Sequence, residues 1–351
     1  MNWTGGNKAM SVAFGVWMAG AASVHAAAAQ KVCIYDPIGK SGDAYRALED
    51  YRIHMTRHGV DLQIKTFTDE AVAVADFKAG QCDAVMATAL RTRQFNATTA
   101  ALDSPGASSI LRKGRIDMEA SFEVVRRFIT AISSAKAANL TRVGAYEVTG
   151  ILPLGAAYAF VNDRAISTLQ GAAGKRVGAF DHDKSQAELI GRVGARPVAV
   201  NVVNFASMFN NGNIDVLMAP SLAYRPFELA KGLGKKGAVA RFPLTILTYQ
   251  MVIRAYKFPP EFGQQSRDFF VAGLDQALTL ARRADKDIPD AMWIDPTPEE
   301  NDQYMVMMRQ GRVLMANKGY YDKPGLKILK KIRCSIEPSA SECSERTEAW
   351  P

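Results

Sequence analysis

Histidine is scarce in this chain, four in 351 residues. None stands in a His-Glu-x-x-His helix, and no Gly-x-Ser-x-Gly elbow occurs, so the commonest zinc-hydrolase and serine-hydrolase frames are missing. A phosphate loop is missing too: Ile34 stands where the first glycine of Gly-x-x-x-x-Gly-Lys-Ser would be. His54 and His58 have an i, i+4 spacing that can bind metal, but no acidic residue supports them, and they read as a solvated helix face. Asp181-His182-Asp183 sets two carboxylates around an imidazole without a placed nucleophile, so no catalytic residue is assigned. No block of five or six Lys/Arg appears; the basic excess, 43 − 35 = +8, is spread along the chain. Nucleic-acid binding needs a concentrated stripe and is not expected. After residue 29 no apolar run reaches the roughly 18–20 residues that span a bilayer.

What is present is ordinary for a soluble globular protein: 48% apolar and 22% charged residues, at a length that points to two domains. Residues 1–29 are the exception. They carry one charged side chain, Lys8, an almost wholly apolar stretch from Met10 to Val24, then small residues through Ala29. This pattern reads as a secretory signal cut after Ala26 or Ala29, and predicts a soluble periplasmic protein. The four cysteines fit an oxidising compartment. Cys334 and Cys343 sit nine apart in a polar tail, where a short bridge is expected. Cys33 and Cys82 lie in two strand-like runs; they bond only if those strands are neighbours, and are otherwise buried thiols.

The chain contains its own repeat. FKAGQCDAVMAT (77–88) matches FNNGNIDVLMAP (209–220) at Phe77/Phe209, Gly80/Gly212, Asp83/Asp215, Met86/Met218 and Ala87/Ala219. Each copy reads as a helix end, a glycine suited to the left-handed position, then a short apolar strand. Upstream, KVCIYD (31–36) pairs with RVGAFD (176–181), and each is followed by Lys-Ser opening a helix. In the first helix Ala44, Leu48, Tyr51 and Met55 share one face. Gly59 and Gly194 end the helices, and VDLQIKTF (60–67) and RPVAVNVV (196–203) supply the next strands. Each half therefore reads strand, helix, strand, helix, strand, which implies parallel strands covered by helices.

Between the halves, residues 118–139 read as a helix and 152–169 as a strand leading to a helix start. Residues 244–256 are β-rich and long enough to cross back to the first half. From Pro259 the chain is helical, with Thr297 as a cap and Glu299/Glu300 in a first turn. Two such lobes facing each other enclose a cleft at the carboxyl ends of their strands, where α/β sheets bind ligands.

Several stretches resemble a known family. LQGAAGKRVGAF, GARPVAV and FNNGNIDVLMAP are similar to the second lobe of DctP-type solute-binding proteins of TRAP transporters. CIYDPIGKSGDAY, DFKAGQCDAV, LRTRQFN and LGAAYAFVNDR more closely resemble its AdeT-type branch, which carries a resistance-nodulation-division transporter label. With no spanning helix after residue 29, the chain cannot be such a pump itself. The resemblance covers most of residues 30–335 and implies a two-lobed α/β fold of the type II periplasmic-binding kind, with no enzyme activity and no cofactor. Its expected boundaries are a signal peptide over 1–29, lobe one over 30–130 and 251–335 with the C-terminal helices, lobe two over 140–250, and a polar tail over 336–351. The expected partners are a small anionic or carboxylate solute and the membrane permease of a TRAP-type transporter. A sensory or efflux-accessory subunit of the same fold is the alternative, and an exported enzyme a weaker one.

The family's carboxylate-gripping arginine corresponds to Arg176, or to Lys175 because of one extra residue after Gly171. If Arg176 holds the solute, losing it should cost ~2–5 kcal/mol of affinity. Ala219 stands where the family usually has Asn before Pro220, so a typical sugar acid or C4-dicarboxylate is not expected. Further candidates follow from position. Asp36, Lys40 and Ser41 flank a loop before a helix start, where backbone amides can hold an anion. Thr88 and Arg91 follow the third strand, with Arg93 two residues on; Asp181 mirrors Asp36; Tyr249 lies on the crossing strand and could stack on a ligand ring. No metal ligand is assigned.

Overall fold

The repeat closes in space as its spacing predicts. A computed structural model describes residues 1–2, 29–166, 168–348 and 350; the apolar run read as a secretory signal, with Lys8 and His25, lies outside the described residues. The first copy runs β1 (Gln30–Tyr35), α1 (Asp43–Thr56), β2 (Leu62–Phe67), α2 (Glu70–Lys78) and β3 (Ala84–Thr88). Helix α3 (Met118–Ser133) and the long strand β4 (Tyr146–Val161) follow. The second copy runs β5 (Arg176–Phe180), α4 (Lys184–Arg192), β6 (Arg196–Val200), α5 (Phe205–Asn210) and β7 (Val216–Pro220). Strand β8 (Thr245–Arg254) returns, and four longer helices follow: α6 (Phe262–Ala272), α7 (Leu274–Ala284), α8 (Pro298–Asn317) and α9 (Lys323–Ile336).

The strand order β2-β1-β3-β8-β4-β7-β5-β6 is palindromic with respect to the repeat. Within each copy the strands are parallel, and β4 and β8 run antiparallel to each other between them, paired from Arg254↔Tyr146 to Thr245↔Ala157. The crossing strand expected over 244–256 is β8, buried along nearly its whole length. Helices α6 and α7 pack on β4. Helix α3 is capped by Asp117, which accepts from the Ala120 amide at 2.9 Å, and buries Phe122, Phe128 and Ile129 against α6 and α9.

The repeated residues do the same work in both copies. Gly80 and Gly212 take φ of 78° and 70°, a conformation that a Cβ disfavours. Asp83 accepts from the Lys31 amide and Asp215 from the Arg176 amide, both at 2.9 Å. Each aspartate thereby clamps the start of its third strand to the start of its first. Cys33, on β1, is bonded to Cys82, just before the neighbouring β3, with Cα atoms 5.9 Å apart.

Thr297 caps α8 in a reciprocal capping box with Glu300, as its sequence spacing implies. The C-terminal segment departs from the expected solvated tail. Cys334–Cys343 folds it back, and Glu342 and Glu348 are buried at 8% and 2% exposure. Arg333 donates to both glutamates at 2.7 Å and to the Ala107 carbonyl at 2.6 Å. Arg312 donates to Glu348 at 2.7 Å and to the Pro105 carbonyl at 2.8 Å. The folded-back tail makes the burial of both arginines tolerable. The paired charges hold the Glu348 carboxyl down at about 2.

Removing one partner of such a network strands buried charge, which costs about 3–5 kcal/mol. The variant Arg333→Ala is therefore expected to lose that much stability in urea unfolding. A loss under about 1 kcal/mol would show that the tail does not depend on this network.

Candidate functional site

The carboxyl ends of β1, β3, β5 and β7 converge on one cavity of about 330 Å³. From the first half it is lined by Tyr35, Pro37, Glu70 and Thr88, from the second by Phe180, His182, Asp183 and Gln186. The crossing strands contribute Ala157 and Tyr249. Its position is the one expected of a cleft between facing α/β halves.

Charged groups collect at the side where the halves meet. Glu70 is buried, accepts from the Thr88 amide at 2.7 Å, and lies 3.7 Å from the Arg91 Nε. Asp103 is also buried and accepts from the Thr248 amide at 2.8 Å and its hydroxyl at 2.7 Å. Burial raises both carboxyls, Asp103 to about 7. Arg93 stacks over Tyr321, its guanidinium 4.8 Å from the ring centroid, and reaches Asp183 across the cleft at 4.0 Å. Asp183 in turn caps α4, accepting from the Gln186 amide at 3.1 Å. Burial and the Arg91 charge lower His182, which is neutral at neutral pH.

Three buried nitrogens here make no hydrogen bond: Arg91 Nε, Arg93 Nη2 and His182 Nε2. An unsatisfied buried donor is costly, and two of the three belong to guanidinium groups suited to a carboxylate. The two arginines stand on the first half and the imidazole on the second.

The structure sorts the sequence candidates. Thr88 and Tyr249 line the cavity, and Tyr249 packs edge-on against Tyr35 at 6.1 Å. Arg91 and Arg93 are not in the lining; they stand behind it, Arg91 against Glu70 and Arg93 against Asp183. Asp36 is 2% exposed and turned inward: its carboxylate accepts from the Ile38 and Tyr45 amides at 2.9 and 3.1 Å. The anion position expected in the loop of residues 36–43 is thus filled by the loop's own carboxylate. A Cβ on Gly42 would overlap that carboxylate. Lys40 and Ser41 are exposed and do not line the cavity. Asp181 is exposed, 3.4 Å from the His182 ring, and also outside the lining.

Arg176 is a correction. It stands at the amino end of β5, away from the cavity, and donates to Asp215 at 2.6 and 3.0 Å and to the Gly212 carbonyl at 2.9 Å. Its backbone position mirrors Lys31 in the first copy, so it belongs to the strand clamp. Lys175 precedes the strand at the same end, is exposed, and does not line the cavity.

Sequence reasoning missed Glu70, Asp103 and Gln186, and set His182 aside for want of a nucleophile. A helix cap or a carboxylate beside apolar residues carries no local mark of a ligand site. Among the described residues, no group of three or more His, Cys, Asp or Glu could hold a metal ion.

Comparison with known proteins agrees with this geometry. The profile of the solute-binding protein AdeT 1/2 family matches residues 56–348. The chain is 41% identical over 315 residues to the probable solute-binding protein AdeT1 of Acinetobacter baumannii, covering 90% of this chain and all of that one. It is similar in structure to a TRAP periplasmic solute-binding protein of Desulfovibrio salexigens with bound orotic acid, at a TM-score of 0.69 and 14% identity, covering 88% and 99% of the two chains. A TRAP periplasmic solute-binding protein of Ralstonia eutropha with bound (S)-2-acetolactate gives 0.68 and 12%, covering 88% and 98%. The two-lobed α/β architecture is the one these proteins share. The chain belongs to the AdeT 1/2 family of solute-binding proteins.

Proposed function

We propose that this protein is exported by residues 1–29 to the periplasm, captures a small carboxylate solute in the cavity between its halves, and delivers it to a TRAP-type membrane permease. Lobe one comprises residues 30–130 and 251–335, lobe two residues 140–250, and the halves close about the crossing strands. The observation that carries the proposal is the pair of buried guanidinium nitrogens on Arg91 and Arg93 that make no hydrogen bond, beside the lining residues Glu70 and Asp183. The carboxylates named with the similar structures support the same ligand class. Arg91 takes the ligand's carboxylate from its loose contact with Glu70, while Thr88 and Tyr249 flank it. Closure excludes water and so strengthens the charge contact. The solute favours the closed form only by its greater affinity for it.

Two outcomes are expected. In titration calorimetry with a panel of organic acids, Arg91→Ala should lose ~2–5 kcal/mol of carboxylate affinity, the scale for truncating a buried charge partner. Arg176→Ala should bind as wild type does. An unchanged Arg91→Ala would remove this arginine from the site, and a large loss in Arg176→Ala would return the anion to the other end of β5.

The pH dependence has a definite sign. Asp103, raised to about 7, is neutral below that pH and charged above it. Its charge repels an anionic solute in the same cavity, so affinity should fall as pH rises through about 7. The fall should vanish in Asp103→Asn. A profile that rises over that range would contradict the assignment.

A further inference from the structure

Away from the charged junction, the cavity continues as a slot over one face of the second half of the sheet. Its floor is made by alternate residues of paired strands: Ala157 opposite Pro220, Ala159 opposite Met218, Val161 opposite Val216. Side chains alternate across a strand, so these six share one face. Leu189 and Val193 from the α4 side form one wall, and Met307 and Met308 on α8 form the other. The alanines leave the space that a larger side chain would fill. Of the acidic and basic side chains in the lining, Glu70, Asp103, His182 and Asp183 come from the junction loops and α2, and Arg192 is exposed at the end of α4.

The floor and the two walls are apolar and offer nothing to the hydroxyls of a sugar acid or the second carboxylate of a short diacid, although Thr168, Gln186, Arg192 and Tyr304 also line the cavity. The slot gains from apolar surface, at roughly 25 cal/mol per Å². Methionine walls adapt to irregular apolar shapes. We infer that the solute is an amphipathic monocarboxylate: its carboxylate lies at the charged junction, drawn to Arg91 and Arg93 behind the lining residues Glu70 and Asp183, and its alkyl or aryl body lies in the slot between Ala159–Met218 and α8. This rests on the cavity being the solute site, and it goes further by fixing the substrate class.

The test is calorimetric, on the full purified chain freed of carried-over ligand by dialysis. The probes are butanoate, hexanoate and octanoate, with succinate and galacturonate beside them. Each added methylene should tighten Kd about fourfold, from ~0.8 kcal/mol per buried methylene. Octanoate should bind more tightly than succinate or galacturonate. In Ala159→Phe, which fills the floor, the chain-length trend should flatten while butanoate is retained. Met218→Gln, which keeps the volume but adds polarity, should weaken octanoate more than butanoate and guards against a folding defect in the first variant. A Kd independent of chain length, or tighter binding of succinate or galacturonate, would overturn the inference and leave carboxylate capture standing. Binding of none of the five would overturn both.

Discussion

The antiparallel pairing of β4 with β8 is the constraint on which the rest of the molecule depends. These two strands are the only sheet connection between the two repeat units among the described residues. Because they run in opposite directions, each enters one half as the other leaves it. The parallel strands of both halves then end toward the same central space. The pairing also carries polar groups into the core. Gln250 on β8 accepts from the Thr92 and Thr99 hydroxyls at 3.3 and 3.0 Å, and Thr248 donates to Asp103. Buried polar groups of this kind fix one arrangement because any other leaves them unpaired. They hold the segment from Thr92 to Asp103 against the crossing strand, and with it one wall of the cavity.

That wall is held a second time from outside. The carbonyls of Pro105 and Ala107 are taken by Arg312 and Arg333, whose charges are balanced by the folded-back tail. Gly106 lies between them with φ of 65°, and a Cβ there would press on Met308 and Arg312. Helix α8 therefore presents Met308 to the slot and, one turn on along the same face, Arg312 to the tail network. The apolar slot and the buried ion network share one helix, which links the tail to the shape of the cavity through packing alone.

Much of this was legible in the sequence, for a physical reason. A repeat with the same glycine and aspartate spacing demands the same turn and clamp twice, so Gly80, Gly212, Asp83 and Asp215 gave the two halves. The β-rich composition and length of residues 244–256 and their place after the second copy gave the crossing strand. Thr88 was readable as a cavity-lining residue because strand ends in α/β sheets face the cleft, and Tyr249 because it lies on the crossing strand between the halves. Arg176 misled because its role was carried over from the family resemblance although RVGAFD already sets it at the strand's amino end; its true partner, Asp215, is 39 residues away. Asp36 misled for the opposite reason. A carboxylate beside free amides is itself the anion they bind. The charged junction was invisible because Arg91 and Arg93 meet Glu70, His182 and Asp183 only after both halves have folded. The apolar slot was hidden in Ala157 and Ala159, which in sequence are simply small strand residues.

The central claim is that a carboxylate is held where the halves meet, with its apolar body over the second half. A crystal structure of the protein grown with octanoate tests it most directly. The account predicts the carboxylate within hydrogen-bond distance of the Arg91 guanidinium and the chain lying along Ala159 and Met218. A carboxylate bound at Arg176, or a slot holding only water while octanoate sits elsewhere, would contradict it.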